Sequence, residues 1–193
     1  PCDADDAAGR MRRAVAHFDR ATSVARAGGR DVVIEEFGYI HAFACHLADP
    51  GPHATALADL AVDGAVASGA ARTEVIARLV RSHIRLSALD LTGATEDIDG
   101  MAHLLEGIDE QRSADHLGAI RALLAFRQGD RDTAIALVRP SIEGGSLSPR
   151  TAGLRLGIAA LAGVPRFGPS PSRPAPARRG VRGLLRAYSG STG

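Results

Sequence analysis

From Arg10 to about Val164, apolar residues recur at spacings of three and four, and strand-like alternation is almost absent. Glycine and proline punctuate this pattern at Gly28-Gly29, Pro50-Gly51-Pro52, Gly69, Gly93, Gly129 and Gly144-Gly145. Glycine enters the left-handed conformation that closes a helix without steric cost, so each site marks an expected helix end. The intervals between stops predict eight helices, at about 10–27, 31–48, 53–68, 72–91, 95–107, 110–128, 131–143 and 148–163. Connections are short, so successive helices pack antiparallel. Asp130 is placed to cap the helix opening Arg131-Asp132-Thr133. Thr95-Glu96-Asp97 sets carboxylates at the positive end of its helix. Pro140 lacks a backbone donor and is expected to kink its helix or end it early.

The pattern repeats. Ala25 to Ile34 reads ARAGGRDVVI and Ala67 to Ile76 reads ASGAARTEVI. Each has a helix end, a glycine turn, an arginine and a new helix carrying Val-Ile. Gly51, Gly93 and Gly129 recur at comparable intervals. A period of about 40 residues, made of two helices, is typical of α-solenoids. A lone helical hairpin cannot bury its apolar face, whereas stacked neighbours can.

At Ala122 to Ile135 the chain reads ALLAFRQGDRDTAI. This resembles the middle of a tetratricopeptide repeat, with small Ala122 on the first helix, the turn Gly129-Asp130, and small Ala134 on the second. Ala44, Gly51 and Ala56 fit the same scheme, whereas Leu86, Gly93 and Ile98 keep the turn and lose the small residues. Pro140 and the longer period depart from the family pattern. The run RALLAFRQGDRDTAIAL is similar to the helical arrays of large multidomain transcriptional regulators of GC-rich bacteria, which join an ATPase and often a LuxR-type output domain. The chain has no lysine, so no standard phosphate-binding loop of such an ATPase is possible in it.

The resemblance implies an all-α, right-handed solenoid acting as a non-catalytic protein–protein interaction scaffold. The first helix of each pair would line a groove for a protein or peptide partner, or for other domains of the same chain. Polar positions on such helices are His83, Ser87, Asp90, His116 and Arg127. They are the expected partner contacts; solvated surface is the plainer reading of each.

Composition sharpens this. Hydrophobic residues make up 45% and aromatics 4%, with no Trp, so the interior must be built from Ala, Leu and Val in closely packed helices. The net charge of +1 gives no global field for nucleic acid. All 23 basic residues are Arg and Asn is missing, which fits a GC-rich, bacterial coding sequence and weakens arguments from arginine itself. Cys2 and Cys45 make no disulfide framework, which suits a reducing, cytoplasmic setting. No apolar run approaches the roughly 20 residues of a membrane span. The opening PCDADDAAGR is acidic where a secretory signal is basic, and a start at Pro reads as a processed chain or a piece of a longer one.

Three regions are expected: a flexible segment 1–9, a repeat domain 10–164, and a Pro/Arg-rich tail or linker 165–193. No acidic residue follows Glu143, so any nucleic-acid contact would run through that tail.

Candidate chemistry is sparse, and no cofactor or resident metal is expected. His41 and Cys45, four apart on one helix, are two soft ligands on a shared face. They offer the alternative of a helical-bundle enzyme or metal-binding protein. Val33, Phe37, Ile40, Ala44 and Leu47 trace the adjacent apolar stripe, which places His41 and Cys45 at its border, where packing explains them as well. Asp97-Ile98-Asp99-Gly100 fails as a calcium loop, since glycine is misplaced and Ile108 falls at the bidentate position. There is no G-x-S-x-G nucleophile motif.

Overall fold

A computed structural model describes residues 4–108 and 111–144. These residues form seven helices and no strand: α1 (Ala4–Ala27), α2 (Asp31–Ala48), α3 (Pro52–Ala67), α4 (Ala71–Ser87), α5 (Leu91–Glu106), α6 (Gln111–Arg127) and α7 (Arg131–Gly144). The eighth expected helix, 148–163, and the tail 165–193 lie outside the described residues. None of the described helices is long and apolar enough to cross a membrane.

Boundaries differ from the sequence reading at several helices, among them α1, α4 and α5. Helix α1 begins at Ala4, not Arg10. The stretch is rich in alanine, the best helix former, and so joins the helix. Helix α7 runs through Pro140 to Gly144, so the proline does not end it early. Pro140 lies in the penultimate turn, close to where the helix stops in any case, and packing of Ala134 and Val138 holds the preceding turns.

Four helices stop by one device. Each final carbonyl set is closed by a pair of bonds from a residue in the left-handed region and its successor. The pairs are Gly29→Arg26 and Arg30→Ala25, Gly69→Val66 and Ala70→Ala65, Leu89→Leu86 and Asp90→Arg85, Gly129→Phe126 and Asp130→Ala125. The left-handed residues are Gly29, Gly69, Leu89 and Gly129. Three stops are therefore glycines the sequence shows, and the fourth is Leu89, with φ 62. Gly93 is not the stop expected of it. It lies buried inside α5.

Each helix packs on its neighbours in the chain. The further contacts among the described residues join α2 to α4 and α4 to α6. These three form one layer, and α1, α3, α5 and α7 cover it. Val75, Leu86, Ile98, Met101 and Ile120 make the main core between α4, α5 and α6. Ala42, Cys45, Ala54 and Ala58 close α2 onto α3, with Val80 and Ile84 of α4 behind them. Ala122, Ala125, Ala134 and Val138 join α6 to α7. Small side chains at these seams let the helix axes approach closely, which is how a chain so poor in aromatics fills its interior.

Asp97, expected at a helix start, lies in the second turn of α5, because that helix begins at Leu91. It is wholly buried. Arg81 of α4 donates to both its oxygens, from Nε at 3.0 and 3.1 Å and from Nη2 at 2.6 Å, and Arg85 donates from Nη1 at 3.1 Å. Arg81 also reaches Asp59 on α3 at 3.1 Å, so one guanidinium ties three helices. Burial alone would lower the Arg81 pKa, but the hydrogen bond and charge of Asp97, with help from Asp59, outweigh it and raise the value.

Candidate interaction face and cleft

Helix α2 turns a different side inward from the one its large residues suggest. His41, Ala42, Ala44 and Cys45 are buried, while Phe37 is 46% exposed and Leu47 51% exposed. The helix is apolar nearly all round, so periodicity alone could not choose its buried face. The choice falls to fit, since small Ala42 and Cys45 allow the alanines of α3 to approach.

Ile40, Phe43 and Leu47, at spacings of three and four, lie on one side of α2. On α4 the corresponding stripe is Ile76, Leu79, His83 and Ser87, with the arginines that hold Asp97 on the other side of the helix. On α6, His116, Leu123 and Arg127 share a side. The stripes meet: the Phe43 and His83 rings lie 6.4 Å apart, tilted by 56°. Burial, with the nearby His116 and His46, pushes His83 down to about pKa 4. Three histidines from α2, α4 and α6 thus run across the layer, and His83 is neutral at physiological pH.

The five sequence candidates fall into two groups. His83 and His116 are half-buried and brought together; Ser87 follows one turn beyond His83, and Arg127 is exposed in the last turn of α6. Ser87 Oγ donates to the His83 carbonyl at 2.9 Å. Asp90 stands apart. Its carboxylate accepts the Gly93 N–H at 2.9 Å and caps α5.

His41 and Cys45 do not converge with other ligands. Among the described residues, no group of three or more His, Cys, Asp or Glu side chains is placed to hold a metal ion. Cys45 is packed into the α2–α3 core, and burial raises its pKa, which suppresses the reactive thiolate. His41 stacks on Phe18 of α1, with ring centroids 5.6 Å apart, and meets the edge of His53 at 6.5 Å. Its Nε2 lies 3.1 Å from Asp19 Oδ1 and has almost no surface open to solvent. Burial lowers the His41 pKa, and the opposing pull of Asp19 does not restore it.

Helices α1 and α3 both pack on α2 without packing on each other. Between them lies a cleft of about 590 Å³. Its floor includes Gly38 and His41, and its walls are Phe18, Ala21 and Ala25 on one side and Leu57, Leu60 and Gly64 on the other. No signal in the sequence pointed to this cleft, because it depends on two non-adjacent helices sharing a third.

Compared with known proteins, the chain matches no family model, no curated protein and no solved structure.

Proposed function

We propose that the chain is a non-catalytic interaction scaffold, a degenerate tetratricopeptide-like array whose α2–α4–α6 layer receives a protein or peptide segment. The single observation that carries this is the repeated layer itself: α2, α4 and α6 touch in series and present adjoining stripes of apolar and histidine side chains. Helix stops forty residues apart, Gly29 to Gly69 and Leu89 to Gly129, support the repeat reading. So does complete burial of Ala122 and Ala134, the small residues of the repeat motif. In this reading α2–α3, α4–α5 and α6–α7 are the repeats, their stacking is right-handed, and 148–163 supplies an eighth helix. The chain serves in the cytoplasm, as the array of a bacterial multidomain transcriptional regulator.

A partner is recognised by apolar contact with Ile40, Phe43 and Leu47 and by hydrogen bonds to His116 and Arg127. The test is a displayed library of random peptides selected on the immobilised chain, followed by calorimetry on the enriched sequences. The expected result is micromolar binding, weakened at least ten-fold by His116→Ala with Arg127→Ala and by Leu47→Arg, and unchanged by Leu60→Arg on α3. Peptides indifferent to all of these, or no enrichment, would remove the proposal.

A further inference from the structure

A binding feature of another kind lies on α1. Phe18, Thr22 and Arg26 turn toward the cleft, whereas His17, Arg20 and Val24 turn to the adjoining flank of the same helix. There they line a second pocket of about 450 Å³, together with Ala21, Ala25 and Arg30. Its size falls within the roughly 300–1,000 Å³ usual for small-molecule sites. Val24 is 62% exposed, so an apolar side chain stands in water where an occupant would cover it.

The charge of this pocket is one-sided. Among the described residues that line it, Arg20, Arg30 and His17 are basic and none is acidic. Elsewhere the arginines that converge do so on a carboxylate, as Arg78, Arg81 and Arg85 do on Asp97. Arg20 and Arg30 have no ion-pair partner among the described residues. A Cβ placed at Gly28 would lie 3.4 Å from Arg30 Nε, so the Arg30 side chain folds back over the end of α1. Arg13, the next arginine along this flank, reaches back toward Gly9, away from the pocket: a Cβ there would lie 3.8 Å from its Nη1.

The pocket therefore presents two fixed positive charges and an imidazole, which donates from a ring nitrogen in either charge state. A phosphate monoester matches this set. It carries about two negative charges at neutral pH, has three terminal oxygens to accept with, and suits the planar fork of a guanidinium. A carboxylate leaves one arginine uncompensated, and a cation is repelled.

We propose that this pocket binds a small organic phosphate monoester, its phosphoryl group held by Arg20, Arg30 and His17 and its apolar body lying against Val24 and Ala21. The site is on a different helix from the layer face and does not depend on the scaffold reading.

The probe is phenyl phosphate, titrated into the full chain at low salt and followed by calorimetry and amide chemical shifts, with benzoate, inorganic phosphate and a short DNA duplex in parallel. The expected result is saturable one-to-one binding of phenyl phosphate, at least ten-fold tighter than benzoate and tighter than inorganic phosphate, which lacks the apolar body. Arg20→Gln and Arg30→Gln each weaken it at least ten-fold; both side chains are exposed, so neither variant threatens the fold. Arg13→Gln leaves it unchanged. The proposal is overturned by absence of saturable binding, by benzoate or inorganic phosphate binding as tightly, or by an undiminished Arg20→Gln or Arg30→Gln variant. It is equally overturned by a duplex that binds more tightly than phenyl phosphate and loses affinity in Arg13→Gln, which would make this flank a surface for nucleic acid.

Discussion

Arg81 holds Asp97 through three hydrogen bonds of 2.6 to 3.1 Å, and the carboxylate is completely enclosed. Arg85 completes the clamp, and Arg78 approaches at 3.5 Å. Removing the acid leaves these cations close together, with only Asp59, Asp90 and Glu74 at the edge of the cluster to offset them. Breaking such a buried pair from one side costs about 3–5 kcal/mol, most of it from the uncompensated charge left behind. Asp97→Ala is expected to lower stability by about that amount in urea denaturation, and Asp97→Asn by less, because the amide keeps part of the hydrogen bonding. A loss below about 1 kcal/mol for Asp97→Ala would show that water reaches the arginines freely.

Leu89 offers the opposite case. It occupies the left-handed stop where the three equivalent helix ends carry glycine, and its side chain is 63% exposed. A side chain in that conformation costs about 1–2 kcal/mol, and little packing offsets it here. Leu89→Gly is expected to raise stability by about 1 kcal/mol, less the entropy glycine adds to the unfolded chain. Thermal unfolding with an upward shift in Tm is the check; a drop would mean the leucine makes contacts worth more than its strain.

The same residue shows how far the sequence could be read. Helices are legible because their apolar period is local, and Gly29, Gly69 and Gly129 are visible stops. The stop at Leu89 was not, since nothing in a leucine advertises a left-handed backbone, and Gly93 drew attention in its place. Gly93 is glycine for another reason: a Cβ there would collide with the Asp90 carboxylate and press on the Arg85 side chain, which donates to the Gly93 carbonyl at 2.8 Å. The buried role of Asp97 was equally hidden, because a carboxylate near a helix start looks like dipole complementation until the arginines of the preceding helix are seen around it. His83 and His116 were legible as polar positions on first helices. Their meeting, and the cleft beside His41, depend on which helices touch across the layer.

Ala134 is wholly buried where α6 meets α7, as is Ala122 opposite. A larger side chain forces the two axes apart. Ala134→Leu is expected to cost about 1–3 kcal/mol from overpacking, although leucine is nearly as good a helix former as alanine. Urea denaturation read beside the exposed control Ala136→Leu separates the two effects, since the control keeps the propensity change and lacks the collision. Equal behaviour of the two variants would mean that α7 is not held against α6 by this seam.

His83 makes stability depend on pH in a defined window. Its pKa is about 4 in the fold, against 6.5 for an ordinary histidine. Between those values the unfolded chain binds a proton that the folded chain does not, so acid favours unfolding. The contribution is fully present above pH 6.5, erodes as pH falls, and is gone once pH has dropped through about 4. The full swing is about 3 kcal/mol, at roughly 1.36 kcal/mol per pKa unit. The groups identified around His83 are the Phe43 ring and the histidines His46 and His116, whose charge opposes a proton on His83. His83→Phe keeps a ring against Phe43 and removes the proton site. Unfolding free energies measured at pH 7.5, 6 and 5, in the range the linkage prescribes, are expected to fall more steeply for the native chain than for His83→Phe. Parallel curves would place His83 in contact with water at all times, and the histidine seam across α2, α4 and α6 would then be solvated surface.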